Sequence, residues 1–215
     1  MHLGSWAPGE LSSVPAASAL APKITELLAA AAGDLEPAEL VRVRRAVTSD
    51  QAEWEREFGT TKDVSGLGLE RNLFRYLPLG VTLRLAEGAN LADLVRMVAA
   101  GLRAGAPVHV STSLQPSAKL LAVLQRYAAS VAVESDRRWH ERAVQGGIGT
   151  SRVRLIGGDV FELSAAVKGD PDLAIYADPV TSAGRIELLP FLREQAVSIT
   201  AHRFGNPDDW SAAVI

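Results

Sequence analysis

Val81-Thr82-Leu83-Arg84-Leu85, then Asn90, then Leu91–Ala104 closed by Gly105, then Val108-His109-Val110-Ser111: this succession decides the fold. The first and last runs have the branched, apolar-rich make-up of short strands. Between them, Asn90 offers a side-chain oxygen to the free N–H groups that begin a helix. Gly105 supplies the left-handed residue that ends one. Two strands joined by a helix of this length run parallel in one sheet.

The alternation continues downstream. Positions 116–129 read as a helix with a proline in its first turn, 131–134 as a strand, and 136–145 as a helix closed by Gly146-Gly147. Then come a strand at 152–156, a helix at 159–168 closed by Gly169, a strand at 173–176, a helix at 185–195 and a last strand at 197–201. The predicted fold class is α/β: a Rossmann-like, mostly parallel sheet flanked by helices and preceded by a helical linker. Upstream, 72–76 is a further β-like run and 59–68 a loop. Helices are expected at 23–32 and 37–58, the second opening on a proline whose missing N–H is not needed there. The Thr48-Ser49-Asp50 cluster is expected to break it, because these side chains compete for backbone hydrogen bonds. Residues 1–22, rich in Ser, Pro, Ala and Gly, read as an extended arm. The predicted division is arm 1–22, helical linker 23–70, Rossmann domain 71–202 and tail 203–215.

The chain has 215 residues and a net charge of −3, which argues against a dedicated nucleic-acid binder, since that would carry a basic excess. With no cysteine, it forms no disulfide and no thiolate metal site, in keeping with a reducing cytoplasm. No apolar run reaches the roughly 20 residues of a membrane span, and the N-terminal stretch lacks the basic n-region of a secretory leader. His2, His109, His140 and His202 show no metal-binding spacing, so no metal site is expected. The Arg42-Arg44-Arg45 cluster reads as a solvated helix face or a docking patch. Ser198 and Thr200 alternate with Val197 and Ile199 along the last strand, without the sharp turn that exposes a serine nucleophile. No catalytic residue is expected.

Several segments resemble a known family. Pro78-Leu79-Gly80-Val81, Ala100-Gly101-Leu102-Arg103-Ala104-Gly105 and Val108-His109-Val110-Ser111-Thr112-Ser113 resemble the first βαβ unit of aldehyde dehydrogenases. Val153-Arg154-Leu155-Ile156-Gly157-Gly158 resembles their strand-to-helix turn. Leu3-Gly4-Ser5-Trp6 is similar to the close of the 1-pyrroline-5-carboxylate dehydrogenase domain of bifunctional proline utilization A enzymes. The stretch from Trp54 to Pro78 is similar to the entry into their C-terminal domain. Leu192-Arg193-Glu194-Gln195-Ala196-Val197-Ser198-Ile199-Thr200-Ala201, with Gly205-Asn206 after it, resembles their tail.

The resemblance implies a C-terminal aldehyde dehydrogenase-superfamily domain of a cytoplasmic enzyme that uses FAD and NAD to take proline to glutamate. In that family the domain is non-catalytic and covers the internal channel. Aldehyde oxidation there needs a cysteine thiolate, and this chain has none. No cofactor is therefore expected in this piece. Ser111, Ser113, Gly157 and Gly158 stand where a dinucleotide would lie. Ser111 replaces the lysine that holds the adenosine ribose, and Asp159 would repel a pyrophosphate. Glu194, Gln195, Ser198, Thr200, Gly205 and Asn206 are the expected docking residues of the tail. Their expected partner is the 1-pyrroline-5-carboxylate dehydrogenase domain of the same polypeptide. His202, Arg203, Phe204, Trp210, Val214 and Ile215 suit such a contact. Two alternatives stay open: a dinucleotide-binding regulatory module, and an oligomerisation domain acting through self-association.

Overall fold

The computed structural model describes residues 19–67, 70–200, 202–203 and 206–207, the last two pairs as backbone only. Five strands form a parallel sheet: β3 (Val81–Leu85), β4 (Val108–Thr112), β5 (Ser130–Val133), β6 (Arg152–Ile156) and β7 (Ala174–Tyr176), in the order β5-β4-β3-β6-β7. The chain winds outward from β3 to β5 and then returns to the other side of β3. Helices therefore cover both faces. Helices α3 (Leu91–Ala104) and α4 (Ala118–Tyr127) share the larger core with α1 (Pro22–Ala31) and α2 (Pro37–Glu53). Helices α5 (Asp136–Val144) and α6 (Val160–Ala166) build the second core, where Trp139, Ala143 and Leu163 meet Val153 and Leu155. A turn of π-helix, Trp54–Phe58, follows α2.

The deciding stretch folds as read. The Asn90 side chain accepts from the Ala92 N–H at 2.7 Å, and Gly105 ends α3 at φ +69°. Other expectations change, among them the loop at 59–68, which holds the short strand Lys62–Asp63. Helix α2 is not broken at Thr48-Ser49-Asp50, because those side chains find other partners. Thr48 donates to the Arg44 carbonyl, Ser49 accepts the Gly184 N–H, and Asp50 pairs with Arg96. Helix α4 starts after Pro116, with Ser117 as its cap. The helix expected at 185–195 is only α7 (Gly184–Glu187), followed by a 3₁₀ turn at Leu189–Phe191. Pro190 has no N–H to continue a helix. The last strand, β8 (Leu192–Thr200), lies outside the parallel sheet. It pairs antiparallel over nine residues with β2 (Glu70–Pro78), and β1 (Lys62–Asp63) flanks β2 on its other edge. Strands β9 (His202–Arg203) and β10 (Asn206–Pro207) form a small separate pair.

Candidate functional site

The crevice of a doubly wound sheet lies outside the carboxyl ends of the two strands where the winding reverses, here β3 and β6. Gly157 and Gly158 follow β6 at φ +71° and +76°. A side chain on Gly157 would meet the Ala89 Cβ at 2.8 Å, and one on Gly158 the Ala86 Cβ at 3.2 Å. The close approach that glycine permits here is therefore made by the chain's own β3–α3 turn. Asp159 caps α6, its carboxylate accepting from the Phe161 and Glu162 N–H groups. That places a negative charge where a phosphate would otherwise find free donors.

Ser111 is fully buried near the end of β4. It accepts from Arg84 Nη1 at 2.8 Å and donates to Glu134 Oε1 at 2.7 Å. Arg84, also fully buried, pairs with Asp136 and donates to the Glu134 carbonyl. Its guanidinium lies 5.5 Å from the Trp139 ring centre, and that of Arg142 lies 4.8 Å from it. Arg142 closes the circle on the Glu134 carboxylate. Asp136 also accepts from the Glu87 N–H. Ser113, one turn of chain farther, keeps a buried hydroxyl with no hydrogen-bond partner among the described residues. Beside this cluster an open groove of about 680 Å³ runs between α5 and α6, lined by Asp136, His140 and Glu162 among others.

Burial opposes ionisation of Glu134, but hydrogen bonds from Arg142 and Ser111 and the charges of Arg142 and Arg84 outweigh it. The carboxyl is held below its usual range. The folded value lies under the unfolded one, so its contribution to stability is present above the ordinary carboxylate value of about 4.3 and is lost as pH falls through the folded one. Glu134→Gln is expected to flatten the loss of stability below about pH 4.3. Urea melts of both chains from pH 7 to pH 3 would show it, and equal slopes would refute it.

Sequence reasoning missed the buried arginines. Arg84 and Arg154 each sit between apolar residues on strands of a sheet covered on both faces, where a charge must have a partner. That setting was the available signal. Arg96, flanked by Val95 and Met97 on α3, gave the same one.

The other candidate surface is the β2–β8 ribbon. Gln195 accepts from Arg75 Nε at 2.7 Å, and the Ser198 hydroxyl lies 2.8 Å from both Glu70 Oε1 and Asn72 Oδ1. Glu194, opposite Tyr76, and Thr200, opposite Glu70, are exposed. These residues thus occupy one strand, whose outer edge is unpaired among the described residues. Asn206 belongs to β10; Gly205, Phe204, Trp210, Val214 and Ile215 lie outside the described residues, as does the arm from residue 1 to 18. Among the described residues no group of three or more histidines and carboxylates converges to hold a metal ion. None of the helices described is long and apolar enough to cross a membrane.

No family model matches the chain, and no curated protein matches it. Solved structures do. Proline utilization A from Corynebacterium freiburgense matches at 30% identity with a TM-score of 0.55, over 90% of this chain and 16% of that one. Proline utilization A solved with proline bound in remote sites matches at 18% identity and a TM-score of 0.55, over 76% of this chain and 20% of that one. A variant of the Bradyrhizobium japonicum protein gives 18% identity and a TM-score of 0.53 over the same shares. Over most of its length the chain has the fold of part of these proline utilization A proteins. The likeness to the Corynebacterium freiburgense protein, at 30% identity over most of this chain, supports an aldehyde dehydrogenase-superfamily domain of the proline utilization A kind. It spans only about a sixth to a fifth of the length of the proteins it matches.

Proposed function

We propose that the chain is the non-catalytic C-terminal domain of a bifunctional proline-catabolic enzyme, where it covers the internal channel between the two active sites. In this reading the parent uses FAD and NAD to convert proline through 1-pyrroline-5-carboxylate to glutamate in the cytoplasm. The domain itself takes neither cofactor. One observation carries the proposal: the Gly157-Gly158 turn is filled by the chain's own Ala86–Ala89 turn and Ser111 is held by Arg84 and Glu134, while the outer edge of β8 is unpaired among the described residues. A scaffold that fills its own phosphate turn and leaves a strand edge unpaired among the described residues suits docking rather than chemistry. The absence of any cysteine agrees. Strand β8, with Glu194, Gln195, Ser198 and Thr200, and the tail with Gly205 and Asn206 dock onto the dehydrogenase domain of the same polypeptide. The division into arm 1–22, helical linker 23–70, Rossmann domain 71–202 and tail 203–215 is part of the same proposal. A cover raises the local concentration of the intermediate and restricts its escape to water.

Removing the domain together with its helices α1 and α2, residues 22–215, from the full-length enzyme is expected to slow the coupled proline-to-glutamate reaction severalfold, leaving proline oxidation itself intact. Equal coupled rates would sink the proposal. The unpartnered Ser113 hydroxyl and the α5–α6 groove favour a second reading, a dinucleotide-binding regulatory module. Calorimetric titration with NAD decides between them. No heat up to millimolar NAD is expected, and saturable micromolar binding would establish the second reading instead.

A further inference from the structure

Residues 177–187 run from the end of β7 to the base of β8 as a strap across α2 and α3. Within this strap only Gly184 and Glu187 are buried, and Val180, Thr181 and Ala183 are half-buried, so little apolar packing holds it. Charges hold it instead. The Thr181 carbonyl accepts from Arg96 Nε at 3.1 Å, and the Thr181 N–H donates to Glu187 Oε1 at 2.7 Å. Arg96 grips Asp50 through two bonds of 2.6 and 2.7 Å. Arg154 grips Glu187 and also donates to the Asp178 carbonyl at 2.7 Å. Asp50, Arg96, Arg154 and Glu187 are each no more than 2% exposed. Two buried ion pairs from α2, α3, β6 and α7 thus meet on the backbone of one residue, Thr181. Gly184 fixes the same register sterically, because a side chain there would lie 2.6 Å from the Ser49 backbone.

Buried ion pairs are poor sources of stability, since desolvation rivals their attraction, and in some proteins they are kept for the geometry they specify. Asp50 illustrates this: burial pushes its carboxyl up to about 6, against the opposing pull of Arg96. A strap shifted by one residue would lose the Thr181 bonds to both pairs.

We propose that this double ion pair is a register pin that sets how the β2–β8 ribbon projects, and hence the geometry in which the domain docks. The inference rests on the docking function proposed above. Its test is the paired variant Asp50→Leu with Arg96→Met, which removes both charges of one pair. The chain is expected to stay folded, with the amide of Gly184 exchanging at least tenfold faster with deuterium. In the full-length enzyme the coupled reaction is expected to slow about as much as on domain removal, with each half-reaction unchanged. Wild-type exchange, or an unchanged coupled rate where domain removal does slow it, would overturn the pin and leave the docking function standing. If domain removal has no effect, both fall. A variant that cannot fold would also overturn it, by showing that the pair holds the body and not the strap. Glu187→Gln, which keeps the shape and removes one charge, is expected to give the same exchange signature and provides an independent check.

Discussion

Arg96→Met alone is expected to cost about 3–5 kcal/mol of folding free energy, because it leaves the Asp50 carboxylate buried without its counter-charge. Both side chains are 1% exposed, so water cannot take over the lost bonds. The Thr181 carbonyl loses its donor as well. Adding Asp50→Leu should recover most of the loss, bringing the pair to within about 1–2 kcal/mol of the parent, since neither desolvation nor attraction then remains. Guanidinium unfolding of the two single variants and the double variant forms the cycle. Additive costs in the double variant would show that the two residues act separately and refute the reading.

Phe191→Ala is expected to destabilise the chain by about 3–5 kcal/mol through the cavity it leaves. The ring is fully buried and packs against Gly101 of α3, where a side chain would come within 2.9 Å of it. The Phe191 carbonyl accepts from the Leu79 N–H at 2.8 Å, tying the foot of β8 to the exit of β2. Arg152 Nη1 reaches the carbonyls of Leu189, Pro190 and Leu192 just beside it. Beyond the strap, the foot of the ribbon is thus also held by one aromatic anchor and a set of carbonyl bonds. Phe191→Leu should retain roughly half of the lost stability, as it refills part of the volume. A chemical melt of each variant checks the order, and a loss under about 1 kcal/mol for the alanine variant would mean that the ring is not the anchor.

The parallel sheet was legible because its signals are local. Strand composition, the Asn90 cap and the Gly105 stop all act within a few residues, and they place β3, α3 and β6 on the positions found. The return from β7 was not legible in the same way. Leu192–Gln195 looked like the end of a helix, and only a ladder to β2 makes them strand. Their partner is distant, and short-range pattern carries no record of it. The crevice was half legible. Gly157, Gly158 and Ser111 could be picked out, but not that Ala89 lies against Gly157 or that Arg84 holds Ser111. Likewise Asp50 read as a helix breaker, whereas Arg96 on a different helix gives it a partner.

The pairing of β2 with β8 has a consequence for synthesis. Arg75 and Gln195, which touch across the ribbon, stand 120 positions apart in the chain. At ribosomal rates of about 5–20 residues per second, β2 waits roughly 6–25 s before its partner is made. The whole parallel sheet lies between them and can fold in that interval. The ribbon is therefore expected to close after the parallel sheet, so that its contacts bear more on how fast the finished domain opens than on how fast it forms.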